Sequence, residues 1–164
     1  MGPATSLHAH PLFPRVLCAG YGGGGVAVFH SSARRALRCW PAAASPGAAV
    51  VSVRWSSCRP SAIFVVDSAG VLSVVDLLSG DGPPAALSDR LCGEEGDSAD
   101  SVTAMEVTSL PVSQAASMRR QAVVVACASG ALRTLLVEGK VPLLTPGEDA
   151  ALDALLCSPY YAGA

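Results

Sequence analysis

The chain has 164 residues, enough for one ordinary domain with a sizeable core. Apolar residues make up 51% and charged residues 15%, a balance that excludes wholesale disorder, which needs low hydrophobicity and high net charge. A net charge of −2 gives no electrostatic pull toward nucleic acid or an anionic membrane.

The opening MGPATSLHAHPLFPR lacks the basic and continuous apolar regions of a secretory leader. No apolar run approaches the roughly 20 residues of a membrane span. The expectation is a soluble, cytoplasmic chain. His8 and His10 lie two apart and point the same way in a strand, but catalytic zinc wants three protein ligands and no third stands nearby. Next comes GYGGGGVAVF. A phosphate loop would need Lys-Ser/Thr after the glycines, whereas Val26 and Ala27 follow Gly25 and the run continues as strand. The basic group Arg34, Arg35 and Arg38 has no interleaved aromatics and reads as a solvated strand end.

Thr5 to His30, TSLHAHPLFPRVLCAGYGGGGVAVFH, falls without gaps on Val51 to Asp76, VSVRWSSCRPSAIFVVDSAGVLSVVD, at a constant offset of 46. Pro14 meets Pro60, Gly24 meets Gly70 and Val28 meets Val74. Each copy reads as strand, Pro-containing link, strand, tight Gly turn, strand, with the alternation and Val/Ile content of β structure. The glycine supplies a backbone conformation that other residues resist. ALRCW and PAALS are candidate fourth strands of these two copies. Ser79 to Ser101, acidic and rich in Gly and Pro, reads as an elongated, solvated surface loop. A third copy begins with VTAMEV at Val102, passes through a longer link, SLPVSQAASMRRQ, and ends in AVVVACASGALRTLL with Gly130 in the place of Gly70. PGEDAALDALL then predicts a short helix with Leu152, Leu155 and Leu156 on one face, expected to cap or pack against the last of these repeated units.

Six cysteines, Cys18, Cys39, Cys58, Cys92, Cys127 and Cys157, include no CxxC pair and several stand in apolar runs. They read as buried, reduced thiols. No Gly-x-Ser-x-Gly elbow marks a hydrolase, and no cofactor, metal or catalytic residue is expected. Asp67 is expected to bond turn amides, and Asp76 to end its strand.

Four-stranded units recurring every 40 to 45 residues are the signature of a β-propeller blade. VVSVRWSSCRPSAIFVVDSAGVLSVVDL resembles a WD40 repeat: WSS stands where Trp-Ser-Pro is common, Asp67 matches the turn aspartate, and Val75-Asp76-Leu77 takes the place of Trp-Asp-Leu. The first copy departs at two places, with Tyr21 at the turn-aspartate position and His30 at the strand-end aspartate. The style of the middle copy is similar to the C-terminal propeller of dynein intermediate chains. The expected fold is therefore all-β: a partial WD40-type propeller over residues 1–145 (blades at about 4–49, 50–100 and 101–141), a short helix at 146–157 and a tail at 158–164. The structural repeat positions are Trp55, Asp67, Gly70, Asp76, Gly24 and Gly130.

A propeller closes with roughly 4 to 8 blades, so three copies are expected to be part of a larger ring: a C-terminal fragment, a truncated sequence or a subunit completed by another chain, with upstream blades missing. The resemblance implies a non-catalytic scaffold for protein assembly. In a dynein intermediate chain the partner would be the motor heavy chain, in the cytoplasm, on the cytoskeleton or in a cilium. The alternatives are a generic WD40 adaptor in ubiquitin ligation or trafficking, or a propeller-based enzyme; fold alone does not separate them.

Overall fold

The computed structural model describes residues 1–80, 82–88, 91–92, 100–111, 119–137 and 146–156. Three antiparallel sheets follow one another along the chain, and each is a meander of sequential neighbours. Blade 1 runs β1 (Ala4–Ala9), β2 (Val16–Tyr21), β3 (Val26–His30) and β4 (Arg38–Trp40). Blade 2 runs β5 (Val50–Trp55), β6 (Ala62–Asp67), β7 (Leu72–Asp76) and β8 (Ala85–Ser88). Blade 3 holds β9 (Val102–Pro111), β10 (Arg119–Cys127) and β11 (Leu132–Val137). The fourth strands expected in ALRCW and PAALS are thus present as β4 and β8. Blade 3 has three strands among the described residues. The architecture is a partial β-propeller with one short helix, α1 (Glu148–Leu156).

Period-two alternation explains how the blades stack. Every residue of β6 is buried, and its two faces divide between two cores. Ile63 and Val65 join Val16, Cys18, Val26 and Val28 of blade 1. Phe64 and Val66 join Met105, Val107, Val123 and Val125 of blade 3. Blade 2 is therefore covered on both sides, and a full Val, Leu or Phe burial there stabilises by about 1.5–3 kcal/mol each. The innermost strands run side by side, β1 next to β5 and β5 next to β9.

A bulge recurs in all three blades and is invisible in the sequence. The pairing register slips between Ala4 and Ser6, between Val50 and Ser52, and opposite Ala126 and Cys127. One residue of each inner strand, Thr5, Val51 or Thr103, is left out of the ladder. Thr5 Oγ1 donates to the Gly20 carbonyl and Thr103 Oγ1 to that of Ala126, both at 3.1 Å. Such a bulge twists and bends its strand.

Three expectations need correction. The link expected from Ser109 to Gln121 is strand at both ends, with Leu110 paired to Arg120 and Ser109 to Gln121. In blades 1 and 2 the side chains of His10 and Ser56 fold the chain back after the inner strand; among the described residues no such bond is made at the equivalent Thr108, and the ladder runs on. The loop from Ser79 to Ser101 is not simply solvated, since Leu91 and Cys92 dip into the core between blades 2 and 3. Finally, the seat of α1 among the described residues is not the last blade: Leu152 and Leu156 enter the core shared by blades 1 and 2.

Candidate functional site

The contacts between blades are built from side chains at equivalent heights. His10 and Ser56, one repeat apart, do the same work with different chemistry. His10 is 2% exposed, and its Nδ1 accepts the N–H groups of Leu12 (3.0 Å) and Phe13 (3.1 Å). That leaves Nε2 to carry the proton and donate to the Pro60 carbonyl of blade 2 at 2.8 Å. Ser56 Oγ likewise accepts the amides of Cys58 and Arg59, and donates to Gln121 Oε1 of blade 3 at 3.0 Å. Each residue turns its own chain and clasps the next blade. His8 accepts the Trp55 amide on Nδ1, while Arg54, at the position of His8, pairs with Glu106 of blade 3 at 3.0 Å. Burial first, and then the Arg54 charge, lower the pKa of His8. Burial also lowers that of His10. Both imidazoles thus serve blade packing, through Nδ1 of His8 and both ring nitrogens of His10.

Trp55 is 2% exposed; its indole N–H donates to the His8 carbonyl at 3.2 Å and its ring lies 4.5 Å from that of His10. Gly24, Gly70 and Gly130 have φ of 80°, 79° and 88°, and each N–H closes a tight turn on the carbonyl three residues back, at Tyr21, Asp67 and Cys127. The Gly24 carbonyl receives the amides of Ala43 and Ala44, and the Gly70 carbonyl that of Leu91. These glycines therefore hold the linkers that lead into the following blade. Asp76 Oδ1 accepts the Leu78 amide just past its strand, and Oδ2 accepts Arg59 at 2.6 Å.

Asp67 secures both its turn and a linker. Oδ1 accepts Ala69 and Val71 N–H at 3.0 and 2.9 Å, and Oδ2 accepts Ser45 N–H from the linker preceding blade 2 at 2.8 Å. In blade 3 the same position is Cys127, and it is disulfide-bonded to Cys92 of the linker preceding that blade. The expectation of reduced thiols fails for this pair. The fold brings residues 35 apart in sequence to a Cα separation of 6.4 Å, a proximity that no local spacing announces. Asp100 takes over one turn amide, accepting Ser129 N–H at 3.0 Å and Ser129 Oγ–H at 2.8 Å; these bonds lower its pKa. The two sulfurs and an Asp100 oxygen lie within 4.8 Å of one another. Aligning the third repeat at its turn position, with Cys127 under Asp67, was the signal that could have drawn attention to this cluster. Cys18 stays free and buried, which pushes its thiol up to about 12.

Helix α1 is tied to blade 2 by charge. Arg59 Nε meets both carboxylate oxygens of Glu148 at 2.9 and 3.0 Å, and Ser61 Oγ donates to the same group. Glu148 opens the helix, where a carboxylate is favoured by the dipole. A cavity of 250 Å³, lined by Phe13, Pro14, Arg15, Val16, His30 and Leu156, remains beside it; ligand pockets generally exceed about 300 Å³.

The outer faces of the end blades are a different surface. On β11, Leu132 and Leu136 are 73% and 50% exposed, and on β1 Leu7 is 64% exposed. Thr108 of β9 is exposed on the same side of blade 3 as Leu110.

No family model matches the chain. No curated protein matches it either. Among solved structures it is similar to the crystal structure of the Saccharomyces cerevisiae Sqt1, with a TM-score of 0.57 at 13% identity over 83% of this chain. The chain spans 32% of that structure's length. The likeness carries the fold alone, a partial WD40-type β-propeller. Among the described residues, no helix is long and apolar enough to cross a membrane.

Proposed function

We propose that the chain is a non-catalytic propeller scaffold whose open sheet faces assemble with other protein subunits. The observation that carries this reading is the asymmetry of burial: β6 is buried on both faces, whereas Leu132 and Leu136 of blade 3 and Leu7 of blade 1 stand in solvent. Propeller blades bury such faces against a neighbour, so the elements that cover them here are further blades or a partner that takes their place. The residue pattern around Trp55 and Asp76 supports a finer reading, a dynein intermediate chain that attaches to the motor heavy chain. In that reading the repeat positions Trp55, Asp67, Gly70, Asp76, Gly24 and Gly130 are structural and touch no substrate.

Mixed with purified motor heavy chain, the protein should co-elute. The double substitution Leu132→Glu with Leu136→Glu should abolish co-elution while leaving far-UV circular dichroism unchanged, because neither side chain belongs to a buried core. Absence of co-elution sinks the motor reading. Co-elution that survives the double substitution sinks the assignment of the blade 3 face.

A further inference from the structure

The rim of blade 3 departs from that of blade 2 in one respect. Where Asp67 holds the preceding linker by a hydrogen bond from Ser45, Cys127 holds it through Cys92. Both of these residues are buried, at 4% and 9% exposure, while Asp100 at the edge is half-buried. The carboxylate is already fixed by Ser129 N–H and Oγ–H, and it retains lone pairs for a further partner. Two soft donors from distant segments, one hard donor and an approach from solvent make a ligand set suited to a thiophilic divalent cation.

We propose that, once the Cys92–Cys127 bond is reduced, Cys92, Cys127 and Asp100 bind one divalent cation of the zinc type, so that the linker clamp of blade 3 has a covalent form and a metal form. Two thiolates on a tetrahedral zinc stand about 3.8 Å apart, so the bonded sulfurs must move apart on reduction, with the Asp100 oxygen already within 4.8 Å of both. Water takes the fourth position. The chemistry balances with a phosphine as reductant. The S–S bond breaks, phosphorus takes the oxygen of one water to become the phosphine oxide, and the two hydrogens of that water end on the two sulfurs. The cation then replaces these two protons, which leave to solvent, and forms two metal–sulfur bonds and one metal–oxygen bond. The linker is held between the two cysteines in both forms, whereas in a reduced, metal-free chain the described residues keep the Leu91 amide on the Gly70 carbonyl and the Ser129 bonds to Asp100.

Cobalt(II) added to the phosphine-reduced full chain tests this. One equivalent should bind, giving a near-ultraviolet sulfur-to-cobalt charge-transfer band and visible bands of a four-coordinate ion, and zinc should displace it. The oxidised chain should give neither. Cys92→Ser and Cys127→Ser should each strip cobalt binding, and Asp100→Asn should weaken it by more than about tenfold while some thiolate band remains. Cys39→Ser and Cys58→Ser should change nothing. No charge-transfer band in the reduced chain, or a band that survives Cys127→Ser, overturns the proposal. If the cysteine variants lose their far-UV dichroism, the surface variant Asp100→Asn decides: wild-type cobalt affinity there would overturn the three-ligand site.

Discussion

The glycines at the tight turns have the same backbone conformation but different surroundings. A Cβ on Gly24 would lie 2.8 Å from the Ala48 carbonyl oxygen, while one on Gly130 would meet nothing within 4 Å. Left-handed backbone costs a side-chain-bearing residue about 1–2 kcal/mol. Gly130→Ala should therefore lose about 1 kcal/mol in urea unfolding, and Gly24→Ala clearly more, because the linker backbone must also move. Equal losses would mean that the Gly24 turn relaxes freely. His10 carries a second test at this scale. Burial lowers its pKa on folding from the ordinary 6.5, so the unfolded chain takes up a proton that the folded chain resists. Its contribution is intact above about pH 6.5 and falls away as the pH drops below that value toward the folded pKa. Replacing His10 with Asn keeps an acceptor for the turn amides and removes the titration. The slope of stability against pH just below 6.5 should flatten in His10→Asn, apart from what His8 contributes with the same sign.

Among the elements, α1 depends most on charge. Nine residues are too few for an autonomous helix, so its persistence rests on docking by Leu152 and Leu156 and on the Arg59–Glu148 pair. Glu148 is 4% exposed. Glu148→Ala removes a charge-assisted bond pattern from Arg59 and should weaken the attachment of α1 by about 1.5–3 kcal/mol. Hydrogen exchange should then show α1 amides opening well before those of β6; simultaneous opening would show that α1 is part of the global unfolding unit. The short helix and its acidic start were legible from Pro146, Glu148 and Asp149 followed by spaced leucines. The helix's destination was not, because its partners Arg59 and Ser61 lie 89 and 87 residues away in sequence.

At the scale of the whole molecule, stability is concentrated in blade 2, which is sandwiched. Phe64 is fully buried between blades 2 and 3, and Phe64→Ala should cost about 3–5 kcal/mol. Leu132→Ala, at 73% exposure, should change stability by no more than about 0.5 kcal/mol. Chemical denaturation of both variants checks the contrast, and a large loss from Leu132→Ala would mean that the outer face of blade 3 is already covered in solution, for example by self-association. The same asymmetry makes the end faces the natural place to look for partners, since their leucines are spare to the folding of the three sheets.

Periodicity and turn residues alone determined the strands, the Gly24, Gly70 and Gly130 hairpins and the blade-like repeat, because alternation and positive-φ turns are properties of a few neighbouring residues. Trp55, Asp67 and Asp76 stood out through the resemblance of their repeat to a WD40 repeat. Tertiary structure alone decided the bulges, the His10 and Ser56 clasps, the seating of α1 between blades 1 and 2, and the meeting of Cys92, Asp100 and Cys127. These arise where segments separated by a whole repeat or more come together, and only the stacking of one sheet on the next sets that distance.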